Sequence, residues 1–455
     1  MNELSAFWAE WIKPSAGLPT VQWSLLLALA AAAGHLVQRY MGLSKVIGYS
    51  VVGTLGGAMG FDGAGFGGAA SSGAMWPLQG TALFLLELAL AVVLFEAGGR
   101  LPLRWFRYNP MVLVQSLVEA TLTFCAVYFT LRWLQVSPAV AQALAIIAMA
   151  ASPAVLNRVV MDSHADGPVT ERALTLSTLS TLYALTLGSA KAGLMNRTPL
   201  TMTDAIYPVL VVLGLSVVVG GALALALRAA LRVMNPVSEN TSVLLLCLMA
   251  ASAALAAHFG GSAPLAALLA GVLLKQLNPR PWAWPRQLGS AATLLVMLMF
   301  VLVSVVAANA DWSAAVIGLS LVMVTARAVA KISGVALANF GSGTQWRQAV
   351  WTGCAMLPMS SLPLLLVSQF VVSAPLLGAQ VARVALPAIL LMEVLGAVLA
   401  TFALRRAGES KQRASLVALA PLSQRANISA PAPFSTPSST PFNPPRDTSG
   451  GGHGA

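Results

Sequence analysis

What constrains this chain most is the recurrence, along nearly all of its length, of apolar runs about 20 residues long. A helix of that length covers a hydrocarbon core of roughly 30 Å. Sliding windows place about thirteen such runs, at 21–40, 45–60, 80–98, 110–134, 138–161, 171–195, 205–233, 241–259, 262–277, 288–308, 313–340, 347–372 and 379–404. A soluble core of this extent would need charged faces alternating with apolar ones. With 57% of residues hydrophobic and 9% charged, the chain has too few charges to build them. The fold class that follows is an all-α polytopic membrane protein with about 13 transmembrane helices.

Basic residues fall in alternate loops. Arg39, Lys45, Arg100, Arg104, Arg107, Arg158, Arg172, Arg228, Arg232, Lys275, Arg280, Arg286 and Arg347 share one side with Arg405, Arg406, Lys411 and Arg413. Lys13, Arg132, Arg197 and Arg383 are the exceptions on the other. The positive-inside rule makes the richer side cytoplasmic, and an odd number of spans then puts the N-terminus outside. The expected divisions are an extracytoplasmic N-terminus (1–20), a transmembrane domain (21–404) and a cytoplasmic tail (405–455). Phe7, Trp8 and Trp11 read as an interfacial aromatic anchor, and no cleavable signal peptide is expected. The Ser-, Pro-, Thr- and Gly-rich tail has too little apolar area to fold and reads as disordered.

The net charge of +11 is accounted for by these loops, and without a basic run interleaved with aromatics it does not indicate nucleic acid. Cys125, Cys247 and Cys354 lie isolated in apolar runs and the four histidines are scattered, so neither a disulfide framework nor a metal site is expected. Gly63, Gly65 and Gly68 match GxGxxG with no strand before them and no βαβ unit after, which reads as an extracytoplasmic loop. Gly53 and Gly57 form a small-xxx-small pair for a close helix contact, within or between subunits. No cofactor is expected. The polar residues supply neither a nucleophile–base–orienter set nor a phosphate cradle, so the chain does not read as an enzyme.

Two apolar runs are interrupted by proline at corresponding places in the two halves. The first break is Ala151-Ser152-Pro153 in the fifth run, and the second is Met356-Leu357-Pro358-Met359-Ser360-Ser361-Leu362-Pro363 in the twelfth. A mid-membrane proline frees a backbone carbonyl, which is tolerated where protein or water satisfies it again. A matched pair of interrupted helices points to an inverted repeat with a substrate site at the midplane, hence to a transporter. The sixth run adds Ser177, Ser180 and Thr181 as a hydroxyl stripe beside the first break. These hydroxyls are either ion ligands or helix-packing groups bonded to their own backbone.

Charges inside apolar runs are costly enough to be functional candidates. They are Glu87, Glu96, Glu119, Lys191, Arg327, Lys331 and Glu393. Arg327 and Lys331 lie one turn apart on one helix face, with Glu96 and Glu119 as expected carboxylate partners. Each reads either as a fixed ion pair holding helices together or as part of a transport path. Glu87 suits a cavity or another subunit, and Lys191 suits snorkelling to the interface.

Taken in order, several stretches resemble motifs of the monovalent cation:proton antiporters, the Na⁺(K⁺)/H⁺ exchanger superfamily with the NhaA-type fold. They are Leu43-Ser44-Lys45-Val46-Ile47-Gly48-Tyr49, Leu94-Phe95-Glu96-Ala97-Gly98-Gly99-Arg100-Leu101, the run from Gly261 to Gly271, Arg327-Ala328-Val329-Ala330-Lys331, Met356-Leu357-Pro358 and Met392-Glu393-Val394-Leu395-Gly396. The resemblance spans all but the tail. It implies an inverted repeat whose two broken helices cross at the ion site, and a homodimer in the bacterial inner membrane. It also implies a mobile core (roughly 110–195 and 313–404) that moves against the remaining scaffold helices in alternating access.

The departures from that pattern bear on the chemistry. The family's usual Thr-Asp or Ser-Thr before the first break falls here at Ala151-Ser152, its Asn-Asp or Gln-Asp in the sixth span at Ser180-Thr181-Leu182, and its Arg-Gly or Gln-Gly after the second break at Met359-Ser360. A hydroxyl binds a cation but releases no proton at physiological pH. Three accounts follow. Glu119 or Lys331 carries the proton; or the fold carries another solute such as an organic anion, drawn by Arg327 and Lys331; or the protein is a transport-inactive sensor or partner. The first is the main expectation, with a monovalent cation (Na⁺ or K⁺) and a proton as the exchanged partners. Ser152, Ser180 and Thr181 would be ligands beside the breaks at Pro153 and Pro358, and Glu119 the proton carrier. Arg327 and Lys331 would form a charged gate, with Glu96 the structural partner of Arg327.

Overall fold

A computed structural model describes residues 18–59, 78, 80–101, 103, 106, 109–195, 202–234, 238–277, 286–340 and 343–410. The expected aromatic anchor at Phe7, Trp8 and Trp11, the Gly63–Gly65–Gly68 loop, Lys13, Arg104, Arg107, Arg197, Arg280 and everything after Ser410 lie outside them. The described chain is almost wholly helical: α1 (Leu18–Leu36, ending in a π-turn Val37–Met41), α2 (Lys45–Ala58), α3 (Gly80–Arg100), α4 (Pro110–Trp133), α5 (Pro138–Met149), α6 (Pro153–Ser163), α7 (Pro168–Leu194), α8 (Met202–Val233), α9 (Glu239–His258), α10 (Ala263–Leu277), α11 (Arg286–Ala308), α12 (Ala314–Leu337), α13 (Trp346–Ala355), α14 (Ser361–Ser373) and α15 (Pro375–Arg406).

Each apolar run coincides with one helix or, at the two proline breaks, with a pair of half-helices. Among the described residues nine spans are long and apolar enough to cross a membrane on length and composition, α5 and α6 counting together. The helix α7 is long enough at 27 residues but carries too many hydroxyls to be among them, and α2 and α10 are short. Proline marks helix starts here: Pro110, Pro138, Pro153, Pro168 and Pro375 all sit in a first turn, where the missing N–H costs nothing. At the first break the helix therefore stops at Met149 and restarts at Pro153, rather than bending through the proline. Ser152 caps the restart, its Oγ accepting from Val155 N at 3.4 Å.

The inverted repeat is visible in the element order. A helix, a broken helix and a helix (α4, α5–α6, α7) recur as α12, α13–α14 and α15, with α4 packed on α12. The Gly53–Gly57 pair makes its close contact within the chain, against α11. A Cβ on Gly53 would lie 2.8 Å from Val301 O, and one on Gly57 2.6 Å from Val305 O. The last helix, α15, runs to Arg406, and the turn after it is tied down. Glu409 accepts from Val169 N (2.8 Å), Thr170 N (2.8 Å) and Thr170 Oγ1 (2.7 Å), satisfying the first turn of α7 with a carboxylate at its positive end.

Candidate functional site

The two breaks meet. Ser152 N in the first donates to Pro358 O in the second at 3.0 Å. Every helix end leaves carbonyls without an intrahelical partner, and in a membrane interior each must be satisfied by protein. At the end of α5 four successive carbonyls are taken by side chains of two other helices. Arg327 Nε donates to Ala148 O (2.9 Å), Lys331 Nζ to Met149 O (2.9 Å), Arg327 Nη2 to Ala150 O (2.8 Å) and Thr181 Oγ1 to Ala151 O (3.0 Å). At the second break Arg327 Nη1 donates to Leu357 O at 2.6 Å, with Nη2 3.5 Å from Pro358 O.

Arg327 thus braces both broken helices. Among the described residues no carboxylate pairs with it directly, and its donors go to the negative C-terminal ends of α5 and α13. This corrects the expected pairing of Arg327 with Glu96. Glu96 bonds Arg100 at 2.6 Å, one turn along the same helix and partly exposed. A guanidinium suits several carbonyls because its donors point in fixed, divergent directions.

Lys331, one turn beyond Arg327, does have a carboxylate. Its Nζ lies 2.5 Å from Glu119 Oε1, and both side chains are fully buried. Thr123 Oγ1 supports the same oxygen at 3.2 Å, while Glu119 Oε2 accepts nothing. Close approach of α4 and α12 makes the pair reachable, since Gly334 lies against Glu119, where a Cβ would fall 2.8 Å from its Cα.

Ser152 and Thr181 therefore stand at the crossing, whereas Ser180 bonds Ser177 O (3.2 Å) and Ser177 bonds Leu174 O (2.9 Å), each within α7. Glu87 lines a cavity of about 320 Å³ with Ser189, Ser368 and Gln369. Lys191 donates to Gln142 Oε1 at 2.9 Å.

Two further buried carboxylates stand out in the structure, Asp162, which was not singled out from sequence, and Glu393, which was expected only as a charge in an apolar run. Asp162 Oδ2 accepts from Ser44 Oγ (2.8 Å) and Lys45 N (2.9 Å) at the start of α2. Glu393 on α15 accepts at Oε1 from Ser50 Oγ (2.8 Å) and Ser304 Oγ (3.5 Å). The available signal for Glu393 was its position in an apolar run with no basic residue one turn away.

A family model described as sodium/hydrogen exchanger, transmembrane, matches residues 24–407. Among curated proteins no match was found. Two solved structures of the sodium proton antiporter MjNhaP1 from Methanocaldococcus jannaschii are similar in fold. The one determined at pH 8 superposes with a TM-score of 0.64 at 14% identity, covering 84% of this chain and 99% of that one. An electron-microscopy structure gives 0.66 at 14% identity, covering 88% and 100%.

Proposed function

This chain belongs to the sodium/hydrogen exchanger family of membrane antiporters, and on that premise we propose that it exchanges a monovalent cation, Na⁺ or K⁺, for a proton at the crossing of its broken helices. The observation that carries this reading is the fully buried Lys331–Glu119 pair beside the first break. The exchange balances on it. A cation that takes the Glu119 carboxylate displaces Lys331, whose ammonium gives up one proton and becomes a neutral amine. Net charge in the site is zero before and after, which suits a low-dielectric interior. Ser152 and Thr181 supply hydroxyl oxygens alongside, since a hydroxyl engaged in one hydrogen bond retains a lone pair.

An organic-anion carrier is disfavoured because the cations that would attract the anion are already paired: Arg327 with four carbonyls, and Lys331 with the Glu119 carboxylate and Met149 O. Residence in an inner membrane with the C-terminus cytoplasmic, a homodimer, and a core of roughly 110–195 and 313–404 moving against the other helices complete the proposal.

The test is proton flux in proteoliposomes with an imposed pH gradient, adding Na⁺, K⁺ or Li⁺ in turn. Cation-triggered collapse that is lost in Glu119→Gln supports the reading. Collapse that survives in Glu119→Gln removes Glu119 as the exchanging group. No response to any cation from folded protein overturns the antiporter reading.

A further inference from the structure

Glu393 takes no part in the exchange described above, yet its carboxyl is fully buried. Ser50 on α2 and Ser304 on α11 donate to Oε1, and Ser360, at the second break, turns its hydroxyl to the same carboxyl. All three serines are fully buried as well. Glu393 Oε2 and Ser360 Oγ nevertheless complete no hydrogen bond of good geometry. Among the described residues no Lys, Arg or His nitrogen lies within 4.0 Å of this carboxyl. Arg327 comes within 3.7 Å of Met392 Sδ, next to Glu393 in sequence, but gives its other donors to carbonyls.

A carboxylate buried without a counter-charge costs several kcal/mol and is neutralised by whatever occupant is at hand. A proton on Oε2 does this, and so does a small cation held by the carboxylate and the hydroxyls. The two compete for the same lone pairs. A divalent ion would leave a net positive charge in low dielectric, whereas a monovalent one leaves none. We propose that Glu393, Ser50, Ser304 and Ser360 form a second monovalent-cation site, filled alternately by a proton on Glu393 and by Na⁺ or K⁺. The step is a carboxylic acid plus a cation giving a cation-bound carboxylate plus one released proton. Its ligands come from α2, α11, α15 and the break before α14, so an occupant ties four elements together. The site stands apart from Glu119 and does not rest on that residue's role.

The test is equilibrium binding of Na⁺ and K⁺ to the purified full chain at alkaline pH, by calorimetry and by proton release into weak buffer. Wild type, Glu119→Gln, Glu393→Gln and Ser304→Ala are compared. We expect Glu119→Gln still to bind a cation and release a proton, and Glu393→Gln to bind one cation fewer than wild type. Ser304→Ala, which keeps the carboxylate and poses little risk to folding, should weaken binding about tenfold. Glu393→Gln binding as much cation as wild type, Glu119→Gln abolishing all binding, or unchanged affinity in Ser304→Ala would each overturn the proposal. Because binding is counted separately from flux, failure here leaves the Glu119 reading standing, and loss of that reading leaves this one testable.

Discussion

Neutralising the Lys331–Glu119 pair one member at a time, and then both together, tests whether it is a self-contained neutral unit. At 2.5 Å and an effective dielectric near 20, the attraction is about 7 kcal/mol. Desolvating the two ions offsets much of it, so the net value of the pair is far smaller than that figure. Removing one partner is different, because the survivor stays charged in an apolar interior, a loss of about 3–5 kcal/mol. Glu119→Leu leaves the ammonium with Met149 O alone, and Lys331→Met leaves the carboxylate with the Thr123 hydroxyl. The double variant removes both charges and orphans chiefly the Met149 carbonyl, a loss of about 1–3 kcal/mol. The two single losses should therefore sum to about 6–10 kcal/mol while the double loses far less, a coupling of at least about 3 kcal/mol. Reversible unfolding in mixed detergent micelles measures all three variants on one scale. A double variant that loses the sum of the singles would refute the pairing. One that unfolds like wild type would show that Met149 O finds another donor.

Three further outcomes follow from the geometry. Thr181→Val keeps the shape of the side chain but orphans Ala151 O, and should lower stability by about 1–3 kcal/mol, whereas Ser180→Ala, whose hydroxyl only bonds its own helix, should cost under about 1 kcal/mol in the same unfolding assay. Gly57→Ala places a Cβ 2.6 Å from Val305 O, so α2 and α11 must part, and a loss of roughly 1–3 kcal/mol with lower detergent-extracted yield is expected. In the loop between α11 and α12, the Ser313 backbone N–H and then the Arg383 guanidinium hold the Asp311 carboxyl below its ordinary pKa. A depressed carboxylate stabilises above its unfolded pKa and loses that contribution as pH falls through the folded one. Asp311→Asn should therefore be cut faster than wild type in proteolysis of this loop above the ordinary aspartate pKa of about 4, and the gap should close as pH falls through the lower folded value.

The parts of this molecule legible in its sequence are those with local causes. Run length and proline placement are local, so the apolar runs and both breaks could be read from residues alone, while the crossing of the breaks was implied by the resemblance to the antiporter family. Lys331 and Glu119 could be matched because a buried cation requires a carboxylate and few were on offer. The role of Arg327 could not be read the same way. Its partners are carbonyls at 148, 150, 357 and 358, and a carbonyl has no sequence signature. Whether Ser180 is a packing group or a ligand was left open for a related reason, since a serine bonded back to its own helix looks identical in sequence to one facing an ion. Glu96 was assigned a distant partner although Arg100, four residues on, was the nearer choice by helical spacing. Glu393 gathers hydroxyls from positions 50, 304 and 360, which only the assembled fold brings together.

Charge balance in the buried centre links these observations. Among the described residues four fully buried ionisable side chains lie there: Arg327, Lys331, Glu119 and Glu393. A formal sum of zero would suggest two ion pairs, but the geometry provides one, between Lys331 and Glu119. Arg327 is instead balanced by backbone. The C-terminal ends of α5 and α13 each carry about half a negative charge, and together they roughly match one guanidinium. Once Arg327 is satisfied in that way, no fixed cation remains for Glu393. The N-terminal end of α14, with Ser360 before it, offers about half a positive charge, too little to hold a full carboxylate in low dielectric. The shortfall at Glu393 must be met by a mobile ion, and a proton and a monovalent cation are the two species that meet it without leaving charge behind.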